Sequence, residues 1–193
     1  AALMEPGDGA LGKALDRLLG AVYTSTVSGA SCALICPVIE RALSRGDAEA
    51  RKKGASFVRT LSQWALDSEE LGPYLAILRP QLQALLGDPA PEVRDAAAQA
   101  IGALAAADSA ATDAGGSDAK VSGGDVAATL LAKLGSGDGA ELEGIAQGLA
   151  AAMATASEER CTELLNDLLQ GASFGTPLAG RLGRLEALSC LPK

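Results

Sequence analysis

The chain has 193 residues and a formal net charge of −8, and 48% of its residues are hydrophobic although only 3% are aromatic. Alanine and leucine supply a core that suits close packing of helices, whereas sheets favour β-branched and aromatic residues. The acidic balance argues against extensive wrapping of nucleic acid, and the absence of histidine removes the commonest general base and metal ligand. We therefore expect neither an enzyme nor a metal or cofactor site.

Apolar residues at helical spacing predict a helix that stands alone near the start of the chain, followed by helices in pairs. The predicted helices run over 10–22, 33–43, 47–66, 71–86, 91–106, 126–134, 141–153, 157–169 and 177–191. The chain thus divides into a loop over 1–9, an orphan helix with two hairpins over 10–106, and two further hairpins over 124–193. The Ala/Ser/Asp/Gly-rich segment 107–123 is predicted to be a flexible insertion.

Turn residues and prolines mark the predicted helix ends. Residues 28–31 predict a turn before the second helix, and Pro37 is expected in its first turn, where the missing N–H costs little. Asp47 is a predicted N-cap. Pro80 lies in the middle of a predicted helix and is expected to kink it, whereas Pro91 opens the next helix at a tolerant position.

The sequence around Arg94 repeats a pattern found 43 residues earlier around Arg51. A helical period of about 40–47 residues is typical of HEAT and armadillo solenoids. We therefore predict an all-α fold, an α-α superhelix of about four helical hairpins plus one N-terminal helix, and expect the chain to be a piece of a longer protein. The third hairpin aligns more weakly, because Leu142 takes the position of Arg94.

Asp88 and Arg94 lie six positions apart, in the predicted turn of a hairpin and the first turn of its second helix. This spacing resembles the ladder of charged residues that links stacked HEAT repeats. We interpret both residues as structural.

Six of the 16 basic residues fall within 19 positions, at the turn between two predicted helices. They are Arg41, Arg45, Arg51, Lys52, Lys53 and Arg59. One interpretation is a solvated turn with pairs inside the helix. The other is a local contact with phosphate or with an acidic protein segment, for which Arg45, Arg51, Lys52 and Lys53 are the candidates.

The other motifs in the sequence are better explained as structural than as cofactor-binding or catalytic sites. The GxGxxG match over 7–12 has no preceding strand, and the GxSxG match over 171–175 has no histidine to activate its serine. The cysteines at 32, 36, 161 and 190 form no CxxC pair and are interpreted as reduced thiols. The single tryptophan, Trp64, is expected in the core with Phe57 and Leu61.

The order and spacing of several segments resemble a known family. These are the segment Ala33–Leu43, the basic run at 50–53, the Leu71–Leu75 segment, the Asp88–Arg94 turn and the residues 146–149. Together they resemble the central HEAT-repeat region of the large activator of the general amino-acid control kinase, which is itself similar to the HEAT region of fungal elongation factor three.

The resemblance implies a cytoplasmic, non-catalytic scaffold in translational control. It implies that the scaffold binds ribosomes and an ABC-type ATPase, and promotes activation of the kinase that phosphorylates initiation factor two alpha. The kinase itself is expected to bind through other regions of the full-length protein. No membrane contact and no sequence-specific nucleic acid are expected. The alternative is a generic HEAT-repeat adaptor, such as a phosphatase scaffold or transport receptor, with no ribosome role.

Overall fold

A computed structural model of the chain describes residues 8–20, 29–45, 47–65, 72–113, 126–134, 139–171 and 178–191. Within these ranges the regular structure is helical and no β-strand occurs, which confirms the all-α prediction. The helices are α1 (Asp8–Leu19), α2 (Gly29–Arg45), α3 (Ala48–Ala65), α4 (Gly72–Leu85), α5 (Pro91–Asp113), α6 (Val126–Lys133), α7 (Gly139–Ala154), α8 (Glu158–Gly171) and α9 (Leu178–Cys190).

The helices form two layers. The odd-numbered helices stack in chain order, so that α3 packs between α1 and α5, and α7 packs between α5 and α9. In the other layer α2 packs beside α4 and α6 beside α8. Each even-numbered helix also packs against the odd-numbered helix that follows it, which makes four helical hairpins. This is the predicted α-α solenoid, with α1 as an additional helix at the start of the first layer.

The core follows the 43-residue register found in the sequence. Ile39 and Leu82 occupy equivalent positions of α2 and α4, and both are fully buried. Val58 and Ile101 are the equivalent pair in α3 and α5, and they are also fully buried. Each such side chain contributes about 1.5–3 kcal/mol relative to an exposed one. The repeat therefore reflects one packing unit used twice.

Small residues bring α7 close to α5 and to the end of α4. A Cβ added to Gly144 of α7 would overlap the backbone oxygen of Leu86. A Cβ added to Gly102 of α5 would lie 2.8 Å from the Cβ of Ala151. Real Cβ atoms do not approach this closely, so the close packing of α7 depends on glycine at both positions.

Side chains cap two helix starts, and of these only the cap at Asp47 was predicted. Asp47 Oδ1 accepts a hydrogen bond from the Ala50 backbone N–H at 2.8 Å, which satisfies one free donor at the start of α3. Ser157 Oγ accepts one from the Arg160 N–H at 3.4 Å at the start of α8. Pro91 is the first residue of α5, where no partner for its nitrogen is needed.

Three helices begin earlier than the sequence predicts, and one of them, α7, begins at Gly139 rather than at 141. α2 begins at Gly29, so residues 29–31 are helical rather than a turn, and Pro37 lies inside the helix rather than in its first turn. Burial of Cys32 and Cys36, one turn apart, accounts for the added length, because it gives these turns contact with the core. α1 begins at Asp8, within the predicted loop, whereas residues 1–7 lie outside the described ranges.

Part of the predicted insertion over 107–123 is helical, since α5 continues to Asp113. Alanine occupies positions 105–107, 110 and 111, and alanine has the highest helix propensity, which outweighs the polar residues between them. Residues 114–125 lie outside the described part of the chain.

Candidate functional site

The basic segment lies where α2 ends and α3 begins. Arg45 is the exposed last residue of α2, and Arg51, Lys52 and Lys53 follow in the first turns of α3. Asp47 caps α3, and the three basic side chains leave one short stretch of this helix in different directions. Their partners therefore lie in different parts of the fold: α1, the turn before α5, and α5.

Arg51 binds the turn between α4 and α5. Its Nε donates to Asp88 Oδ2 at 2.7 Å, and its Nη2 donates to Asp88 Oδ1 at 3.2 Å. The Asp88 side chain is only 5% exposed, and its Oδ1 also accepts the Ala90 backbone N–H at 2.9 Å. This two-bond geometry is the strongest form of an arginine–carboxylate pair. Asp88 therefore fixes both its own turn and the preceding hairpin.

Lys52 and Lys53 reach in opposite directions along the stack. Lys52 Nζ lies 2.7 Å from Glu92 Oε2 of α5, whereas Lys53 Nζ lies 2.6 Å from Asp16 Oδ1 of α1. The hydrogen bond and the charge of Glu92 raise the pKa of Lys52, and Lys52 in turn lowers the pKa of Glu92. The hydrogen bond to Asp16 raises the pKa of Lys53 in the same way. Both lysines are thus charged and already paired.

Arg94 continues the series into the third hairpin. Its Nη2 donates to Glu143 Oε2 of α7 at 2.9 Å, and its Nη1 donates to the backbone oxygen of Asp88 at 3.0 Å. The predicted structural residues Asp88 and Arg94 are therefore bonded to each other through the Asp88 backbone, and each also pairs with a different neighbouring hairpin. We call the pairs Lys53–Asp16, Arg51–Asp88, Lys52–Glu92 and Arg94–Glu143 the inter-repeat ladder.

The remaining basic residues of the segment differ from one another. Arg59, further along α3, donates to Gln99 Oε1 of α5. Arg41 is half-buried and also interacts with another group of the chain. Arg45 is exposed and takes part in none of the ladder pairs. Among the four predicted contact residues, only Arg45 is thus outside the ladder.

The 43-residue register indicates which positions of α5 contact the basic residues of α3. Lys52 pairs with Glu92 and Arg59 with Gln99, in each case 40 positions along the chain. With a 43-residue period, a residue of α3 therefore faces the position of α5 three residues before its own equivalent. A search for opposite charges at this offset would have found Glu92. The sequence holds no comparable signal for the partnership of Lys53 with Asp16.

The remaining motifs and candidate metal ligands can be located in the described residues. These residues contain no cluster of three or more His, Cys, Asp or Glu side chains placed to hold a metal ion. Gly9 and Gly12 of the GxGxxG match lie within helix α1, and Gly171 of the GxSxG match ends α8. Residues 172–175 and the side chain of Trp64 lie outside the described part of the chain. Over the described ranges, no helix is long and apolar enough to cross a membrane.

The comparisons with known proteins agree with this architecture. Residues 10–115 match the family described as Elongation factor 3/GNC1 HEAT repeat. The chain is 34% identical over 156 residues to the "eIF-2-alpha kinase activator GCN1" of Dictyostelium discoideum, covering 80% of this chain. It is 35% identical over 91 residues to "Protein ILITYHIA" of Arabidopsis thaliana and 36% identical over 92 residues to the "Stalled ribosome sensor GCN1" of Homo sapiens, covering 47% and 48% of this chain.

The chain spans only 5% of the Dictyostelium protein and 3% of each of the other two relatives. The matched residues nevertheless include α1 and both hairpins that share the 43-residue register. The chain belongs to the elongation factor 3/GNC1 HEAT-repeat family.

Proposed function

We propose that the chain is part of a non-catalytic HEAT-repeat scaffold in translational control. The scaffold binds ribosomes and an ABC-type ATPase, and it promotes activation of the kinase that phosphorylates initiation factor two alpha. The observation that carries the proposal is family membership, together with relatives named as an eIF-2-alpha kinase activator and a stalled ribosome sensor. A stacked two-layer solenoid supports it, because such folds present long surfaces to partners.

Within this proposal, Arg45, Arg51, Lys52 and Lys53 form the contact with the ribosome or a partner. Arg45 and Lys52 are its most accessible members, since Arg45 is exposed and 41% of the Lys52 side chain is exposed. Arg51 and Lys53 are less accessible, since 23% and 24% of their side chains are exposed.

Co-sedimentation of the protein with ribosomes at two salt concentrations tests this proposal. The variant combines Arg45→Glu with Lys52→Glu, and the matched control combines Lys13→Glu with Arg17→Glu on exposed positions of α1. We expect salt-sensitive binding that falls at least about tenfold in the variant and not in the control, because several phosphate contacts are lost. Equal ribosome binding by both variants would mean that the basic segment does not contact the ribosome.

A generic protein adaptor is the second candidate, and one observation favours it. Leu34 of α2 is 78% exposed and Ile77 of α4 is 53% exposed, and the two positions are equivalent in the 43-residue register. Exposed apolar side chains at repeated positions suit contact with another protein. Absence of ribosome binding by the unaltered protein at either salt concentration would favour this candidate.

A further inference from the structure

Folding neutralises much of the basic segment. Along the chain, the six basic residues over 41–59 are accompanied only by Asp47 and Glu49. In the folded chain, Asp16, Asp88 and Glu92 also lie on them, each within 2.7 Å of a basic nitrogen. The carboxylates come from α1, from the turn before α5 and from α5. The segment is therefore a strong cationic site only when some of these carboxylates are displaced.

The three pairs differ in how easily a competitor can displace the carboxylate. Asp88 is 5% exposed and is also held by the Ala90 N–H, so its pair with Arg51 is part of the turn. In contrast, 71% of Glu92 and 59% of Asp16 are exposed in their pairs with the two lysines. Solvent-exposed ion pairs are held weakly and are screened by salt. Lys52 and Lys53 can thus exchange their partners, whereas Arg51 cannot do so without disrupting the turn.

We propose that Lys52 and Lys53 bind the phosphate backbone of RNA, and that Glu92 and Asp16 are built-in competitors that limit this binding. This rests on the proposed function and adds a regulatory element to the same surface. Because the two pairs join α3 to α5 and α1, each exchange also releases one bond between neighbouring repeats. RNA binding is therefore coupled to the packing of α1, α3 and α5.

The competition favours RNA over an acidic protein segment. The carboxylates of Glu92 and Asp16 are tethered beside the lysines, so a carboxylate from another protein offers the same chemistry without this advantage in effective concentration. A phosphodiester backbone instead carries a regular series of charges, and its neutralisation releases condensed counterions. Phosphate thus has a driving force that a protein carboxylate lacks.

Neutralising the competitors tests the proposal. The variant combines Asp16→Asn with Glu92→Gln, and its control combines Asp95→Asn with Glu159→Gln, two exposed acidic positions outside the ladder. Both variants remove two negative charges, so the long-range effect of net charge is matched. Binding of a labelled single-stranded RNA oligonucleotide is measured by fluorescence anisotropy at low and high salt, and circular dichroism checks that both variants remain folded.

We expect the D16N/E92Q variant to bind the RNA about three- to tenfold more tightly than the control at low salt, with a smaller difference at high salt. Equal affinities, weaker binding by D16N/E92Q, or no RNA binding by any form would each overturn the inference. So would an acidic peptide that binds this variant as tightly as the RNA does. Ribosome co-sedimentation of the unaltered protein separately decides the proposed function, so the two can fail independently.

Discussion

Asp88 joins two hairpins through a single side chain: both of its carboxylate oxygens accept hydrogen bonds from Arg51 of α3, while Oδ1 also accepts the Ala90 N–H at the start of α5. Arg51 and Asp88 lie 37 residues apart in the chain. A tight turn and a contact between repeats therefore depend on the same carboxylate.

Replacing Asp88 with alanine is expected to lower the free energy of unfolding by about 2–3 kcal/mol, because a nearly buried charge pair and a backbone hydrogen bond are lost together. Asp88→Asn should cost less, since its side-chain oxygen can still accept the Ala90 N–H. Urea denaturation measures both. Asp95→Ala, at an exposed position of α5, is the control and should change stability by no more than about 0.5 kcal/mol. A cost for Asp88→Ala as small as that of the control would contradict the assignment.

Replacing Gly144 with alanine is expected to destabilise the chain by about 1–3 kcal/mol, since the added Cβ would overlap the Leu86 backbone oxygen and force α7 away from its neighbours. The matched control is Gly12→Ala in α1, where nothing lies within 4 Å of the added Cβ. That substitution should stabilise the chain by about 0.5–1 kcal/mol, because alanine favours the helix more than glycine does. Thermal denaturation followed by circular dichroism should give melting temperatures that change in opposite directions.

Arg94→Met is expected to cost more stability than Glu143→Gln, although the two residues form one ion pair. Arg94 also donates to the Asp88 backbone oxygen, so methionine leaves a buried acceptor unpaired, at a cost of about 1–3 kcal/mol. Glu143 is 47% exposed, so glutamine there should cost about 0–1 kcal/mol. Chemical denaturation of the two variants measures the difference. Equal costs would mean that the ion pair, rather than the backbone contact, is the main role of Arg94.

Cys36 is expected to react slowly with alkylating reagents in the folded chain. Burial, with smaller contributions from Cys32 and Glu40, raises the pKa of the Cys36 thiol from 9.0 to about 11. At pH 8 this lowers the thiolate fraction about a hundredfold. Iodoacetamide labelling followed by mass spectrometry should therefore modify the half-buried Cys161 well before Cys36. Unfolding in urea should bring the two rates together, whereas unequal rates in urea would point to a cause in the local sequence.

The same thiol gives the stability a pH dependence above pH 9. The pKa of Cys36 is higher in the folded chain, so between its unfolded value of 9.0 and about 11 the unfolded chain ionises first and holds fewer protons. The free energy of unfolding should therefore fall as pH rises, by at most about 1.4 kcal/mol per pH unit from this group. Denaturation at pH 8, 9 and 10 measures the slope. The slope should be steeper than in a Cys36→Ala variant, and equal slopes would contradict the contribution of Cys36.

Much of the fold could be predicted from the sequence because a helical period is a local property. The 43-residue register between Arg51 and Arg94 and the N-cap at Asp47 can both be identified from the sequence alone. The start of α2 was not, because its first turns depend on burial of Cys32 and Cys36 against other helices. The extension of α5 to Asp113 could have been predicted by giving alanine propensity more weight than the polar residues.

The candidate site was harder to predict than the fold. A run of basic residues reads as one charged patch in the sequence, yet Lys52 and Lys53 point to different helices and meet carboxylates from both sides. Asp16 lies 37 residues before Lys53, in α1, the helix that belongs to none of the hairpins. Net charge at a surface depends on which helices are neighbours, and no local pattern records that.

The glycine contacts of α7 also constrain how the chain can evolve. At Gly144 and Gly102, any larger residue meets a neighbouring backbone or side chain closer than atoms approach, whereas exposed positions such as Leu34 carry no such restriction. Substitutions should therefore be accepted less often where α5 and α7 pack together than on the exposed surface of α2 and α4. We expect homologous chains to keep very small residues where α5, α7 and the end of α4 meet, and to vary freely on the outer surface of α2 and α4. New partners can then be gained on one side while the stacking is inherited unchanged.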